Sequence, residues 1–177
     1  MPTRAGVMLA LLVALVAWGC VGPTIRTDFD PAADFSSFKT YAFAGVTDLN
    51  HHGVMNNSLL RKRLEQMMTD QLTLKGLRHV GMDEHPDLLV HYWVAVKEKM
   101  RLGGGGPYWR GGMGGVSTYN YQEGTLIIDL LTPRQQDLVW RANMVGILAD
   151  SKEDNHQMLS KAMAEAFANY PPHSGKP

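Results

Sequence analysis

The sequence has one cysteine, Cys20, among its 177 residues, and this scarcity excludes several common architectures. A lone cysteine has no partner in the chain for a structural disulfide, and it cannot supply the several thiolates of a cysteine-based metal site. Neither sign of charge is in excess, because 17 basic residues balance 17 acidic ones. Nucleic acid and an anionic membrane surface are therefore not expected as partners through charge alone.

The chain also lacks an apolar run long enough to span a membrane as a helix. Its longest run, residues 7–18, falls short of the roughly 20 residues that such a helix needs. The run follows one basic residue and no acid and ends at AWGC, where Cys20 comes after a small residue. This arrangement is typical of a secretory signal. We predict a signal peptide over residues 1–19 and export of the rest of the chain.

Cys20 is the strongest functional signal in the sequence. The segment before it resembles a bacterial lipoprotein signal, in which the cysteine is acylated, for example with palmitate, and becomes the mature N-terminus. Residues 17–19, Ala-Trp-Gly, also fit a site for ordinary signal cleavage, which would leave a free N-terminal thiol; an uncleaved anchor is a third possibility. We expect a lipidated Cys20 with a tether over residues 20–23. Val21 follows it, and the absence of aspartate there resembles lipoproteins that are sent on to the outer membrane. This resemblance implies a location on the periplasmic side of the outer membrane in a Gram-negative bacterium.

Hydrophobic periodicity predicts five strands and two helices in the remaining chain. A first helix is expected over residues 57–75, with Asn57 or Ser58 as N-cap and Gly76 just past its end. A second helix is expected to begin at Asp154 or Asn155 and to end before the prolines at 171–172. Alternation predicts strands over residues 24–30, 39–45, 87–102, 123–133 and 137–149, the last two as a hairpin.

The predicted order is β-β-α-β-β-β-α, which indicates an α+β fold. We expect a mainly antiparallel sheet of about five strands with both helices packed on one face. One sheet face would then be available to a partner. A single domain over residues 24–172 and a disordered tail over residues 173–177 complete the predicted organisation.

The glycine-rich stretch LGGGGPYWRGGMGG, residues 102–115, is not a phosphate-binding loop. Neither GK[ST] nor a helix follows it, as a P-loop requires. Two interpretations remain for an inserted loop over residues 103–122: a flexible connection between strands, or a binding loop, since long loops without structure are uncommon unless functional or disordered. Tyrosine, tryptophan and arginine are enriched at interaction hot spots, and the candidate binding residues of this loop are Tyr108, Trp109, Arg110, Tyr119 and Tyr121.

No catalytic or metal-binding constellation is evident. Nucleophilic catalysis needs a serine or cysteine beside an oriented base, and no G-x-S-x-G elbow is present. Asp129 lies within a predicted strand without an obvious acid partner. Zinc requires three or four converging ligands, so we interpret two acidic and histidine-rich segments as solvated loops. We predict no enzymatic activity, no metal and no cofactor. The two segments are His51-His52 with Asp48, and Asp83, Glu84, His85 and Asp87.

Six stretches, in this order along the chain, resemble a bacterial envelope lipoprotein family, that of domain of unknown function 4136. They are TDFDPAADFSSFKTYAF from residue 27, LKGLRHV from 74, HPDLLVHYWV from 85, EGTLIIDLLTP from 123, LVWRANMVGIL from 138 and the ending AFANYPP from 166. The resemblance implies the same envelope address and fold, but brings no catalytic residue. We therefore expect a non-catalytic binding or assembly accessory whose partners are the membrane, through its lipid, and an envelope protein or glycan; a periplasmic enzyme or a glycan or small-ligand binder is the alternative.

Overall fold

A computed structural model describes residues 22–49, 57–103 and 117–172. The predicted signal peptide, Cys20 and the predicted tail lie outside these residues. Residues 82–84 form a single 3₁₀ turn between the third and fourth strands. The strands and helices are β1 Thr24–Phe29, β2 Thr40–Asp48, α1 Ser58–Leu74, β3 Arg78–His79, β4 Leu88–Gly103, β5 Ser117–Leu131, β6 Leu138–Leu148 and α2 Lys152–Ala168.

The strands form one six-stranded mixed sheet in the order β1-β6-β5-β4-β2-β3. Strands β4, β5, β6 and β1 pair antiparallel, whereas β2 pairs parallel with both β4 and β3. The α+β class with two helices is confirmed, but the sheet has one more strand than expected and is not antiparallel throughout. The parallel pair arises because the chain returns from β2 through α1, a crossover that brings β4 alongside β2 in the same direction.

Both helices contribute to one apolar core against the sheet. Alternate residues of each strand point to the same side, and the side that packs on the helices, which we call the helix side, carries the bulky apolar residues. Tyr92, Ile128 and Phe167 are fully buried there. The other buried members of this core include Tyr41, Leu64, Met68, Leu72, Leu88, Val90, Leu130, Trp140, Ala142, Met163 and Ala166.

Helix α1 has the boundaries that its sequence signals predict. The side-chain oxygen of Asn57 accepts hydrogen bonds from the backbone N–H groups of Leu59 and Leu60 at 3.1 and 3.2 Å, which satisfies two otherwise unpaired donors. Gly76 has a φ of 85°, a conformation that glycine adopts at no steric cost. Both ends are therefore fixed by local chemistry.

Helix α2 begins earlier than predicted. Its N-cap is Ser151, whose side chain accepts from the backbone N–H of Asp154, so the prediction of a cap at Asp154 or Asn155 was wrong. Asn155 instead bonds the backbone of Ala149 twice, accepting from its N–H at 2.8 Å and donating to its C=O at 2.7 Å. This exchange ties the first turn of α2 to the end of β6 and leaves the capping role to Ser151.

Three segments predicted as loops are partly strand. Strand β2 continues to Asp48 and not only to residue 45, and Arg78–His79 add a short edge strand. Strand β5 begins at Ser117 and pairs without interruption with β4 out to Gly103. The predicted loop over 103–122 is therefore shorter, and residues 104–116 lie outside the described part of the chain.

Candidate functional site

The sheet face opposite the helices, which we call the open face, carries the most distinctive polar chemistry of the described residues. The helices contact one another and strands β1, β3 and β6, and their buried residues all belong to the helix-side core. Alternation and register place the following residues on the open face: Thr47, Leu89, His91, Trp93, Ala95, Ile127, Asp129, Arg141 and Asn143.

An ion pair between a buried aspartate and an exposed arginine lies in the middle of the open face. Asp129 is only 2% exposed, and the register places Arg141 directly opposite it on β6. Two parallel hydrogen bonds join them, from Arg141 Nε to Asp129 Oδ1 at 2.6 Å and from Nη2 to Oδ2 at 2.5 Å. Such a bidentate pair fixes the guanidinium in one orientation. The hydrogen bond with Asp129 raises the pKa of Arg141, against the opposing effect of burial, and Asp28 adds to the rise.

Aromatic rings flank this ion pair. The guanidinium carbon of Arg141 lies 5.9 Å from the ring centre of Trp93, within cation–π range. The rings of Trp93 and His91 are 4.3 Å apart between centroids, and His91 Nε2 lies 3.1 Å from the hydroxyl oxygen of Thr47. Gly45 lies opposite His91 on β2, just after a bulge that follows Phe43. Its φ is 151°, a conformation that is strained for any residue with a side chain.

The open face continues outward along the long β4–β5 hairpin. Register places Arg101 opposite Tyr119 and Lys99 opposite Tyr121. The guanidinium of Arg101 lies 5.8 Å from the ring centre of Tyr121, and Lys99 Nζ is 2.6 Å from Glu123 Oε1. Together with the cluster around Trp93, these residues give the open face two places where an arginine lies beside an aromatic ring.

The predicted binding residues of the glycine-rich loop have different outcomes. Tyr119 and Tyr121 belong to β5 and not to a loop, and Tyr119 is 63% exposed. The short polar stretch over residues 117–122 gives little apolar alternation, and for this reason the sequence does not predict the strand. Tyr108, Trp109 and Arg110 lie outside the described residues. The structure thus places two of the five predicted residues, Tyr119 and Tyr121, on the open face. His91, Trp93 and Arg141 lie on the same face and were not predicted as site residues.

Alternation in β4 could have revealed part of this face. The strand alternates the buried Val90 and Tyr92 with His91 and Trp93, and this alternation alone places the two aromatic rings on one side. The partner of Asp129 could not be found in the same way, because Arg141 lies 12 residues further along the chain. Only the pairing register brings the two together.

The candidate metal and catalytic groups do not converge among the described residues, where no group of three potential metal ligands occurs. Glu84 accepts from the backbone N–H of Gly81 at 2.9 Å. Asp87 Oδ2 accepts from the backbone N–H groups of Lys39 and Thr40 and from the Thr40 hydroxyl, each at 2.9 Å. Both carboxylates therefore serve local structure. His51 and His52 lie outside the described residues.

Burial and hydrogen bonding have opposite effects on the pKa of Asp87. Burial alone would raise its pKa, but the hydrogen bonds from Lys39 and Thr40 outweigh that effect and lower it. The Thr40 hydroxyl in turn accepts from the Asp87 backbone N–H at 3.0 Å. This reciprocal pair fastens the start of β2 to the start of β4, beside a hollow of about 770 Å³ that is lined by His85, Arg134 and neighbouring residues.

Within the described residues, neither helix combines the length and the apolar character that crossing a membrane would require. An apolar cavity of about 430 Å³ lies on the helix side of the sheet, between α1, α2 and strands β4 to β6. It is separate from the open face, since the sheet itself lies between them.

A family model described as a domain of unknown function, DUF4136, matches residues 25–172. A solved DUF4136 family protein from Bacteroides thetaiotaomicron is similar at 17% identity and a TM-score of 0.56, over 86% of this chain and 97% of that one. A PDZ domain protein from Parabacteroides distasonis is similar at 17% identity and a TM-score of 0.54, over 93% of this chain but only 40% of that one. At these identities the two likenesses establish the fold. No curated protein matches the chain in sequence.

Proposed function

We propose that this chain, which belongs to the DUF4136 family, is an envelope lipoprotein that binds another envelope component through its open face, without catalysing a reaction. The anchor would be an acylated Cys20, two residues before the first described residue, Gly22. One acyl chain holds a protein on a membrane only marginally, so the modification would carry more than one chain. The periplasmic side of the outer membrane is the proposed location.

The observation that carries the binding role is the set of cationic and aromatic side chains on the open face. Trp93, Arg141 and Tyr121 are of the residue types that dominate binding energy at interfaces. The ion pair with Asp129 holds Arg141 in place before any partner arrives, and a pre-organised side chain loses less entropy on binding than a mobile one. A broad, shallow face of this kind suits a folded protein partner.

The proposed lack of catalysis is supported by the hydrogen bonds that three acidic side chains already accept within the protein. Asp129, Asp87 and Glu84 each accept hydrogen bonds within the described chain. A general acid or base needs a proton-transferring atom directed at a substrate. That these three carboxylates are engaged in local structure supports a role in recognition and not in proton transfer.

The anchor is tested by Cys20→Ala. The variant should move from the membrane fraction to the soluble periplasmic fraction, and processing of the parent chain should be sensitive to globomycin. Unchanged fractionation and processing would refute the lipid anchor and leave the binding role untouched.

The open face is tested by site-specific photocrosslinking in intact cells. A photoreactive residue at Tyr119 should give a discrete adduct with one envelope protein, whereas the same residue at Gln66, exposed on α1, should not. Trp93→Ala and Arg101→Glu should each diminish the Tyr119 adduct. Equal labelling from both positions, or an adduct that survives both substitutions, would contradict binding through this face. An adduct containing glycan and no protein would instead favour a glycan binder.

A further inference from the structure

Two glycines that face each other across the β5–β6 hairpin line the cavity on the helix side. Gly124 pairs with Gly146, and both occupy helix-side positions between bulky neighbours such as Leu126 and Met144. Because neither has a side chain, other apolar side chains lie against these two positions, Leu148 against Gly124 and Met158 against Gly146. A space of about 430 Å³ remains between the sheet and the two helices.

The walls of this cavity are almost entirely apolar. Leu60, Met67, Met158 and Leu159 come from the two helices, and Leu148 from the end of β6. Its volume falls within the range of about 300–1,000 Å³ that small-molecule sites occupy. Apolar cavities accept apolar ligands, so an aliphatic chain is the chemistry that matches most of its walls.

The charged residues at this cavity are all basic. Arg63 on α1 and Lys152 on α2 line it together with His156, and no aspartate or glutamate of the described residues does. All three are exposed, and among the described residues the side chains of Arg63 and Lys152 form neither a hydrogen bond nor an ion pair. These cations are positioned for an anionic group at the opening while the interior takes an apolar chain.

We propose that this cavity binds the acyl chain of a single-chain anionic lipid, with the headgroup held by Arg63 and Lys152. Pro23 also lines the cavity, and a Cβ added at Gly146 would lie 3.3 Å from the Cβ of Pro23. The described chain thus reaches the cavity at Pro23, three residues after Cys20. A lipid taken from the membrane is the proposed occupant, independent of any acyl chain on Cys20 itself.

The test uses the full, exported chain carrying Cys20→Ala, which has no lipid of its own. Native mass spectrometry with palmitate and with lysophosphatidylglycerol should show one lipid bound per chain, and thermal unfolding should move to higher temperature. Zwitterionic lysophosphatidylcholine should bind about tenfold more weakly, since it carries no net charge for the two cations. Absence of any bound lipid, or equal binding of the zwitterionic lipid, would overturn the proposal.

Matched variants locate the site. Gly124→Leu should abolish binding by filling the cavity; its Cβ would meet the flexible end of Leu148 at 2.9 Å, which can turn aside. Asn120→Leu, an exposed position on the same side of β5, is the control and should bind normally.

If Gly124→Leu does not fold, the charge variants decide. Arg63→Glu with Lys152→Glu should weaken lipid binding about tenfold. Lys62→Glu, next to Arg63 but outside the cavity lining, should not. Equal effects from Lys62→Glu would refute the role of the basic residues.

Discussion

Arg141→Ala is the sharpest test of the ion pair at the centre of the open face. The substitution leaves the carboxylate of Asp129, which is 2% exposed, without its bidentate partner. Removing one member of a fully buried pair costs about 3–5 kcal/mol. The Arg141 side chain is 44% exposed, so water can enter and replace part of what is lost, and we expect a loss of about 2 kcal/mol in the free energy of unfolding.

A double-mutant cycle separates this pair from the general effect of truncation. Asp129→Ala in the Arg141→Ala background removes the uncompensated charge, so the double variant should lose less than the sum of the single variants, with a coupling of about 1–2 kcal/mol. Urea unfolding followed by circular dichroism measures all four proteins. Arg26→Ala, an exposed arginine on β1, is the control and should change stability by less than about 0.5 kcal/mol. The reasoning fails if Arg141→Ala is as mild as this control or if the two single effects simply add.

Three further predictions concern other parts of the fold. Because hydrogen bonds lower the pKa of Asp87, its stabilising effect should be present above its unfolded pKa and should disappear as the pH falls through its folded pKa. Asp87→Asn should therefore be less stable at neutral pH, and in acid unfolding its stability should depend less on pH below about 4. Burial raises the pKa of Tyr170 to about 12, so stability should fall as the pH rises from about 10 towards 12, and Tyr170→Phe should reduce that alkaline loss in a pH series of urea unfolding. Ser151→Ala removes the side-chain cap of α2 and should cost about 1 kcal/mol, whereas a cost confined to Asp154→Ala would restore the capping role to that residue.

The parts of the fold that local chemistry determines could be predicted from the sequence. Helix α1 begins and ends where Asn57 and Gly76 indicate, because a cap and a left-handed glycine act on their immediate neighbours. The β5–β6 hairpin follows from two alternating segments around a polar turn. The position of the α2 cap was missed because Ser151, Asp154 and Asn155 can all cap a helix, and only the bonds between Asn155 and Ala149 decide among them.

Features that depend on pairing between strands could not be predicted in this way. The parallel alignment of β2 and β4 depends on where the crossover through α1 returns the chain, which alternation within either strand does not encode. The pairing of Asp129 with Arg141 depends on the hairpin register, and a shift of one residue would send the two side chains to opposite faces. Tyr119 and Tyr121 were placed in a loop because their strand status depends on β4 as a template.

The pairing register of the β5–β6 hairpin determines on which face of the sheet each of the two proposed binding surfaces lies. In the β5–β6 hairpin, the pair Asp129–Arg141 and the pair Gly124–Gly146 are separated by an odd number of residues along each strand. Side chains alternate between faces, so the same pairing that turns the ion pair towards the open face turns both glycines towards the helices. The sheet separates the two sites, and residues more than about 7–10 Å apart without shared partners contribute independently to stability. Trp93→Ala should therefore leave lipid binding unchanged, and Gly124→Leu should leave crosslinking from Tyr119 unchanged; loss of both activities in either variant would mean that the two surfaces form one site.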